Sequence, residues 1–560
     1  MDEERRGLVK KQSPVGNKLQ LTVDEVVEEY VGSFGFSQLL QVFLVSLAWI
    51  FDAHSTLVTI FTDAQPESWR CIAPDCGGTS GQSGGGGGDA SVCRLKPGTW
   101  EWSDGNASSI IAEWGLVCDR RFLAALPASV YFLGSLIGSA VFGCLADAFL
   151  GRKRSVLLSC LLTSATIFLT SLSPNIWIYA LLRFANGFSR AGIGICCLVL
   201  STEAVGRKWR GQVGQYGFFF FAAGFLSIPL IAYPTRTCWR NLYKIISFIP
   251  LVYSIFILVP FVSESPRWLL RRGRSEEALE VLKRYARING KELPLNLSLL
   301  EPSGNEKNLA ACEGENNTST IEKLWNTRWA AKRMSMVMLT GFGIGFVYYG
   351  VQLNVENLNF NLYFTVAINA MMEIPAVFIG SVLLSFMNRR LLFSSSAVLA
   401  GISCISCIIF SSTEDSNVDK LSMTERGSLP QLMIEALGFM AVSTAFDVLY
   451  IYCVELFPTN VRNFAVSMLR QTLMLGASVS SLLVVFGRLS PSVSFLVFGV
   501  LSIVSGLFSL WLPETRNFPL YETLEQQEEE ERLDCGCGES GELGRDLDKK
   551  VELKMYDQKL

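Results

Sequence analysis

The sequence predicts an all-α membrane protein with twelve transmembrane helices, arranged as two six-helix halves in parallel orientation. Three observations predict this. Half of the 560 residues are hydrophobic, only 18% are charged, and the mean hydropathy is +0.33, an unusual balance for a water-soluble chain of this length. Apolar runs of about 20 residues recur along the chain, and that length crosses ~30 Å of hydrocarbon as a helix. Finally, short charged motifs that follow the fourth and sixth runs return after the tenth and twelfth.

Residues 1–38 are polar and of mixed charge with no apolar centre, so they read as a cytoplasmic tail and not as a cleaved signal. The first half then covers 39–263, with spans at 39–61, 123–145, 155–173, 176–200, 214–233 and 243–263. Its long first loop, 62–122, carries Cys71, Cys76, Cys93 and Cys118, a GGGGG tract and the glycosylation sequon at Asn106. A polar segment, 264–333, joins it to the second half at 334–512, with spans at 334–353, 361–385, 391–411, 431–454, 464–487 and 493–512, and an acidic tail occupies 513–560. The basic clusters Arg152-Lys153-Arg154, Arg207-Lys208-Arg210 and Arg389-Arg390 all fall on one side with 264–333. By the positive-inside rule that side is cytoplasmic, and both termini share it. The four loop cysteines then face an oxidising compartment, where they allow three pairings. A net charge of -3 gives no footprint for nucleic acid. No metal-ligand spacing, P-loop or nucleophile motif stands out, so neither an enzyme, a metal nor a cofactor is expected.

The loops hold the repeat. STEAVGRKWRG after span four and VELFPTNVRN after span ten each place an arginine seven residues beyond a glutamate: Glu203 and Arg210, Glu455 and Arg462. ESPRWLL after span six, with Glu264 and Arg267, is matched by PETRNFPL after span twelve, with Glu514 and Arg516. Offsets of 252 (Glu203 to Glu455) and 250 (Glu264 to Glu514) point to two halves in the same orientation, a layout in which the substrate site lies between them near the midplane. GCLADAFLGRKR adds Asp147 and Arg152 at the end of span two. Such charges at cytoplasmic helix ends are expected to pair across a gap that closes in one conformation and opens in the other.

GCLADAFLGRKR resembles the loop between spans two and three of the major facilitator superfamily, and ESPRWLL with GRSEEA, VELFPTNVRN and LPETRN resemble its organic ion transporter branch. FDAHST in span one and the three residues between Asp147 and Gly151 are similar to the plant organic cation/carnitine transporters. The resemblance runs from about residue 35 to 525 and implies a carrier working by alternating access. It also implies that Glu373, in an E-[apolar]-P-A motif, faces the substrate cavity. Many cation-selective relatives carry an acid a few residues past the position of Arg470, where this chain reads LRQTLMLGAS.

A charge at a helix centre costs about 2.5–3.5 kcal/mol on insertion scales, so each intramembrane charge needs a reason. Asp52, Glu373 and Asp447 balance Arg183, Arg190 and Arg470. Asp52 shares a helical face with Trp49, Ser55 and Thr56 and is expected at the pore, whereas His54, about 200° round the helix, is expected to pack on a neighbouring helix. Asp447 and Arg470 lie at similar depth and could neutralise each other. Tyr349 and Tyr450 offer π faces to a quaternary ammonium, while the run Phe218 to Phe221 reads as packing. The expectation is a carrier of organic cations or of zwitterions such as carnitine, with the ammonium among Glu373, Asp447 and aromatics, the carboxylate toward Arg190, and a proton or Na+ as coupling partner. Organic anions, sugars or phosphate on the same scaffold, or a non-transporting receptor, are the alternatives. The plasma membrane is the expected location, with the vacuolar membrane second.

Overall fold

The computed structural model describes residues 19–66, 68–72, 92–93, 98–294, 296–300, 322, 324–358, 360–414, 429–488, 490–516, 524 and 526–529. Twelve helices among them are long and apolar enough to cross a membrane: Phe36–Thr62, Cys118–Leu150, Arg152–Thr170, Ile176–Glu203, Arg207–Thr235, Trp239–Phe261, Arg328–Leu358, Leu362–Phe386, Arg389–Ile409, Leu429–Leu456, Phe464–Gly487 and Pro491–Trp511. They are called spans one to twelve below. Small residues let the spans touch at backbone distance. A Cβ on Gly138 of span two would sit 2.8 Å from the Phe188 Cα of span four, and one on Gly345 of span seven 2.6 Å from the Leu473 Cα of span eleven.

The two halves meet along repeat-related seams. Span two lies against span eleven, with the Ser129 and Ser478 hydroxyls 3.0 Å apart and Phe122 against Phe486. Span five lies against span eight, with Phe219 beside Phe378 and Ser381 donating to the Gln215 amide oxygen at 3.5 Å. At the end that carries the long loop, Arg488 of span eleven donates to the Asp63 carbonyl at 2.9 Å, and Phe61 stacks on Tyr363. At the opposite, basic end, no ion pair joins the halves among the described residues.

In this arrangement the basic-end charges pair within each half, and no pair spans the gap among the described residues. Glu264 accepts the backbone N–H groups of Arg152 and Lys153 at the start of span three, at 3.0–3.1 Å. Glu514 accepts those of Arg389 and Arg390 at the start of span nine, at 2.9 and 3.2 Å. Unpaired N–H groups and the positive end of the helix dipole favour an anion there. Arg152 meets Asp147 at 2.6 Å and Glu203 at 3.5 Å. Its counterpart Arg389 meets Glu455 at 3.0 Å. Gly151 makes the turn with φ +85°, and a Cβ there would sit 2.6 Å from Glu264 Oε2. The glutamates therefore do not hold the arginines seven residues on. Arg462 donates to the Phe457 carbonyl at 3.3 Å, and Arg516 to that of Phe386 at 2.5 Å.

Arg210 and Arg267 find their acid in the N-terminal segment. Leu19–Leu21 pairs in parallel with Leu297–Leu299. Thr22 and Glu25 form a capping box for the turn that follows. Val23, Val26, Val27 and Val31 are buried against Trp268, Leu282 and Tyr285. Asp24 thereby reaches Arg210 at 2.7 Å, Arg207 at 3.2 Å and Arg267. This part of the N-terminal region, together with helices Pro266–Arg271 and Ser275–Ile288, forms a small cluster on the basic end. Asp24→Ala is expected to lower stability by about 1–3 kcal/mol, because Arg210 and Arg267 lose a half-buried partner. Arg207→Ala, at a side chain 67% exposed, is expected to cost under about 1 kcal/mol. Thermal unfolding of the two variants in detergent checks the difference.

Candidate functional site

The charged side chains of the spans converge between the halves. In the first half, the helical spacing of span one aims Asp52 and Thr56 at span four. Asp52 Oδ1 lies 3.0 Å from Arg190 Nε, both side chains 2% exposed. The contact is close in charge but not aligned as a hydrogen bond. Arg190 also donates to Thr56 Oγ1 at 2.5 Å and to Tyr131 OH at 3.4 Å. Arg183, two turns earlier on span four, donates to the Ser55 carbonyl at 3.0 Å, with its guanidinium 4.1 Å from the Tyr131 ring centre. It ties span four to spans one and two. His54 leaves by the other face, its Nε2 2.7 Å from Ser227 Oγ on span five.

The second half is arranged differently. Tyr348 of span seven donates to Glu373 Oε1 at 2.5 Å, while Oε2 is buried without a hydrogen-bond partner. Helix Leu362–Phe386 runs through Pro375 without a break. Asp447 lies within electrostatic reach of Glu373, Tyr348 and Tyr450, and no ion pair or hydrogen bond engages it among the described residues. Arg470 does not pair with it. Its guanidinium crosses instead to span four, against Gly194, within reach of Asp52, Tyr349 and Tyr450.

Aromatic rings join these groups. Tyr348 stacks on Phe446 with centroids 4.6 Å apart, Phe446 lies 5.7 Å from Tyr450, and Tyr349 packs 4.8 Å from Phe132 across the seam. Phe218, read from sequence as packing, sits between Tyr450 and Trp49 and so belongs to the seam between the halves. Sequence reasoning also missed Glu435 of span ten, which is 4% exposed and accepts from Asn369 at 2.9 Å. The signal was present, since 435 falls inside the expected tenth span.

At the loop end, Cys93 is bonded to Cys118, the first residue of span two, and Cys71 is also disulfide-bonded. Cys76 lies outside the described residues. Asn106 is exposed in a turn.

Twelve spans in two halves, with charged and aromatic side chains converging between them, define a major facilitator transporter. The model of the sugar (and other) transporter family matches residues 103–526. The fold is shared with the xylose transporter XylE of E. coli in a partially occluded inward-open conformation, with a TM-score of 0.57 at 13% identity, covering 85% of this chain and all of that one. Among characterised sequences, the chain is 42% identical over 518 residues to organic cation/carnitine transporter 2 of Arabidopsis thaliana, covering 91% of this chain and 94% of that one. It is 41% identical to transporter 3 of the same series, with 90% and 93% covered, and 32% identical to rabbit organic anion transporter 3, with 75% and 74% covered. The chain belongs to the organic cation/carnitine transporter family of plants.

Removing one partner of a buried ion pair leaves an uncompensated charge and costs about 3–5 kcal/mol. Asp52→Asn and Arg190→Gln are each expected to destabilise by that order, and the double variant by less than their sum. A thermal-unfolding double-mutant cycle measures it.

Proposed function

We propose that the chain carries small organic cations or zwitterions such as carnitine across the membrane by alternating access. The observation that carries this is Glu373 and Asp447, two neighbouring acids with no basic partner among the described residues, framed by Tyr348, Phe446 and Tyr450. A trimethylammonium group supplies the missing positive charge. It is poorly held by hydrogen bonds and well held by π faces, at about 0.5–2 kcal/mol per contact. The substrate carboxylate is assigned to Arg470 and not to Arg190, because Asp52 already occupies Arg190. The names of the plant relatives support the substrate class.

The contacts at the loop end, with no ion pair crossing between the halves at the basic end among the described residues, support an inward-facing arrangement if the basic end is cytoplasmic. Asp147, Arg152, Glu203, Glu264, Glu455 and Glu514 then act by holding the helix ends of each half as rigid units. A singly charged cation gains about 2.3 kcal/mol per 100 mV of inside-negative potential, whereas a zwitterion gains nothing unless an ion travels with it. The Asp52–Arg190 pair is the proposed point of action for a coupling proton, since protonating Asp52 would release Arg190. The plasma membrane, with glycosylation at Asn106, is the proposed location. A second reading, organic anion transport, is favoured by the unpaired Arg470 and the organic anion relative.

Arg470→Ala is expected to raise the KM for carnitine at least tenfold, leaving that for tetraethylammonium within about twofold. Glu373→Gln is expected to impair both. Tracer uptake with surface expression checked reads these outcomes, and competition by anions but not by carnitine would favour the second reading.

A further inference from the structure

A polar pocket lies at the loop end, and neither Glu373 nor Asp447 lines it. It opens between spans one and two of the first half and spans seven and eleven of the second, with a cavity volume of about 40 Å3. Thr59, Asp63, Glu356, Ser481 and Arg488 supply its polar wall.

Two oxygens in that wall are buried and have no hydrogen-bond partner. Asp63 Oδ1 accepts from Tyr179 OH and Thr62 Oγ1, each at 2.7 Å, but Oδ2 accepts from nothing. Thr59 Oγ1, one helical turn earlier and on the same face, is equally unengaged. Asp63 is 6% exposed and Thr59 4%. A buried carboxylate oxygen left without a donor is expensive, and the cost falls when a cation or donor joins it.

The nearby guanidinium groups do not fill that gap. Arg488 is already committed, bonding Glu356 through Nε at 2.5 Å and the Asp63 carbonyl through its terminal nitrogen at 2.9 Å. Arg183 lies within electrostatic reach of Asp63 but gives its hydrogen bond to the Ser55 carbonyl, so neither guanidinium donates to Asp63 Oδ2. Burial holds the Asp63 carboxyl up at about 6 despite opposition from Thr62, Tyr179, Arg183 and Arg488.

We propose that this pocket binds a small monovalent cation, with the Asp63 carboxylate and the Thr59 hydroxyl as its ligands. Oxygen ligands of this kind suit a hard cation such as Na+. The same chemistry would accept the ammonium end of an incoming substrate. Either cation would sit where the halves meet and would favour the arrangement in which the loop end is closed. The site stands independently of the central-cavity assignment.

The test is thermal unfolding of the purified full chain at constant ionic strength, with N-methylglucamine chloride exchanged for NaCl or for tetramethylammonium chloride. At pH 7.5 one of the two is expected to raise Tm by about 2 °C or more. Both salts are read in the Glu373→Gln background, where the central acids compete less for an ammonium; there the rise should be present, lost on adding Asp63→Asn or Thr59→Val, and reduced at pH 5, where a proton occupies Asp63. A rise with NaCl identifies a metal-ion site, and one with tetramethylammonium alone a substrate-headgroup site. If Asp63→Asn does not fold, Thr59→Val decides. No rise with either salt, or a rise that survives in the folded variants, would overturn the proposal, as would one abolished by Glu373→Gln.

Discussion

Charge in hydrocarbon is the constraint on which the arrangement depends. Each ionised side chain costs several kcal/mol unless something inside the protein answers it. The first half answers internally: Asp52 meets Arg190, and Arg183 spreads over Tyr131 and the Ser55 carbonyl. The second half does not, since Glu373, Asp447 and Glu435 share no basic partner among the described residues, and Arg470 reaches across the seam. The chain as a whole is close to neutral inside the membrane, but the balance is struck across the cavity. A zwitterion with its ammonium toward the second-half acids and its carboxylate toward Arg470 would complete it locally.

The repeat serves the same economy at the basic end. Glu264 and Glu514 each cap the start of the third helix of their half, and Glu203 and Glu455 each hold the arginine at that start. With these charges satisfied inside each half, no ion pair among the described residues ties the halves together at the basic end. The first half has one addition. Asp24 brings the N-terminal segment onto three arginines, whereas Arg462, the counterpart of Arg210, makes do with a backbone carbonyl.

Much of this was legible in the sequence. Apolar length alone located the twelve spans, because crossing hydrocarbon sets a minimum run. Spacing on span one separated Asp52 from His54, because a helix fixes which residues share a face. Partners were less legible. Nothing in the spacing of Glu203 and Arg210 reveals that Arg152 and Asp24 would intervene, since those contacts are set by how helices from distant stretches approach. Depth in the spans set Arg470 against Asp447 and left Arg190 for a substrate carboxylate, and only the packing of span one on span four shows that Arg190 is the one taken. Glu435 needed no structure, only its inclusion among the charges of span ten.

The most direct measurement is saturable accumulation of labelled carnitine in proteoliposomes holding the purified chain, against an Asp147→Asn, Arg152→Ala control. Saturable uptake above the control, inhibited by other quaternary ammonium compounds, is the predicted result. Uptake no greater than the control, with correctly inserted and folded protein, would contradict it.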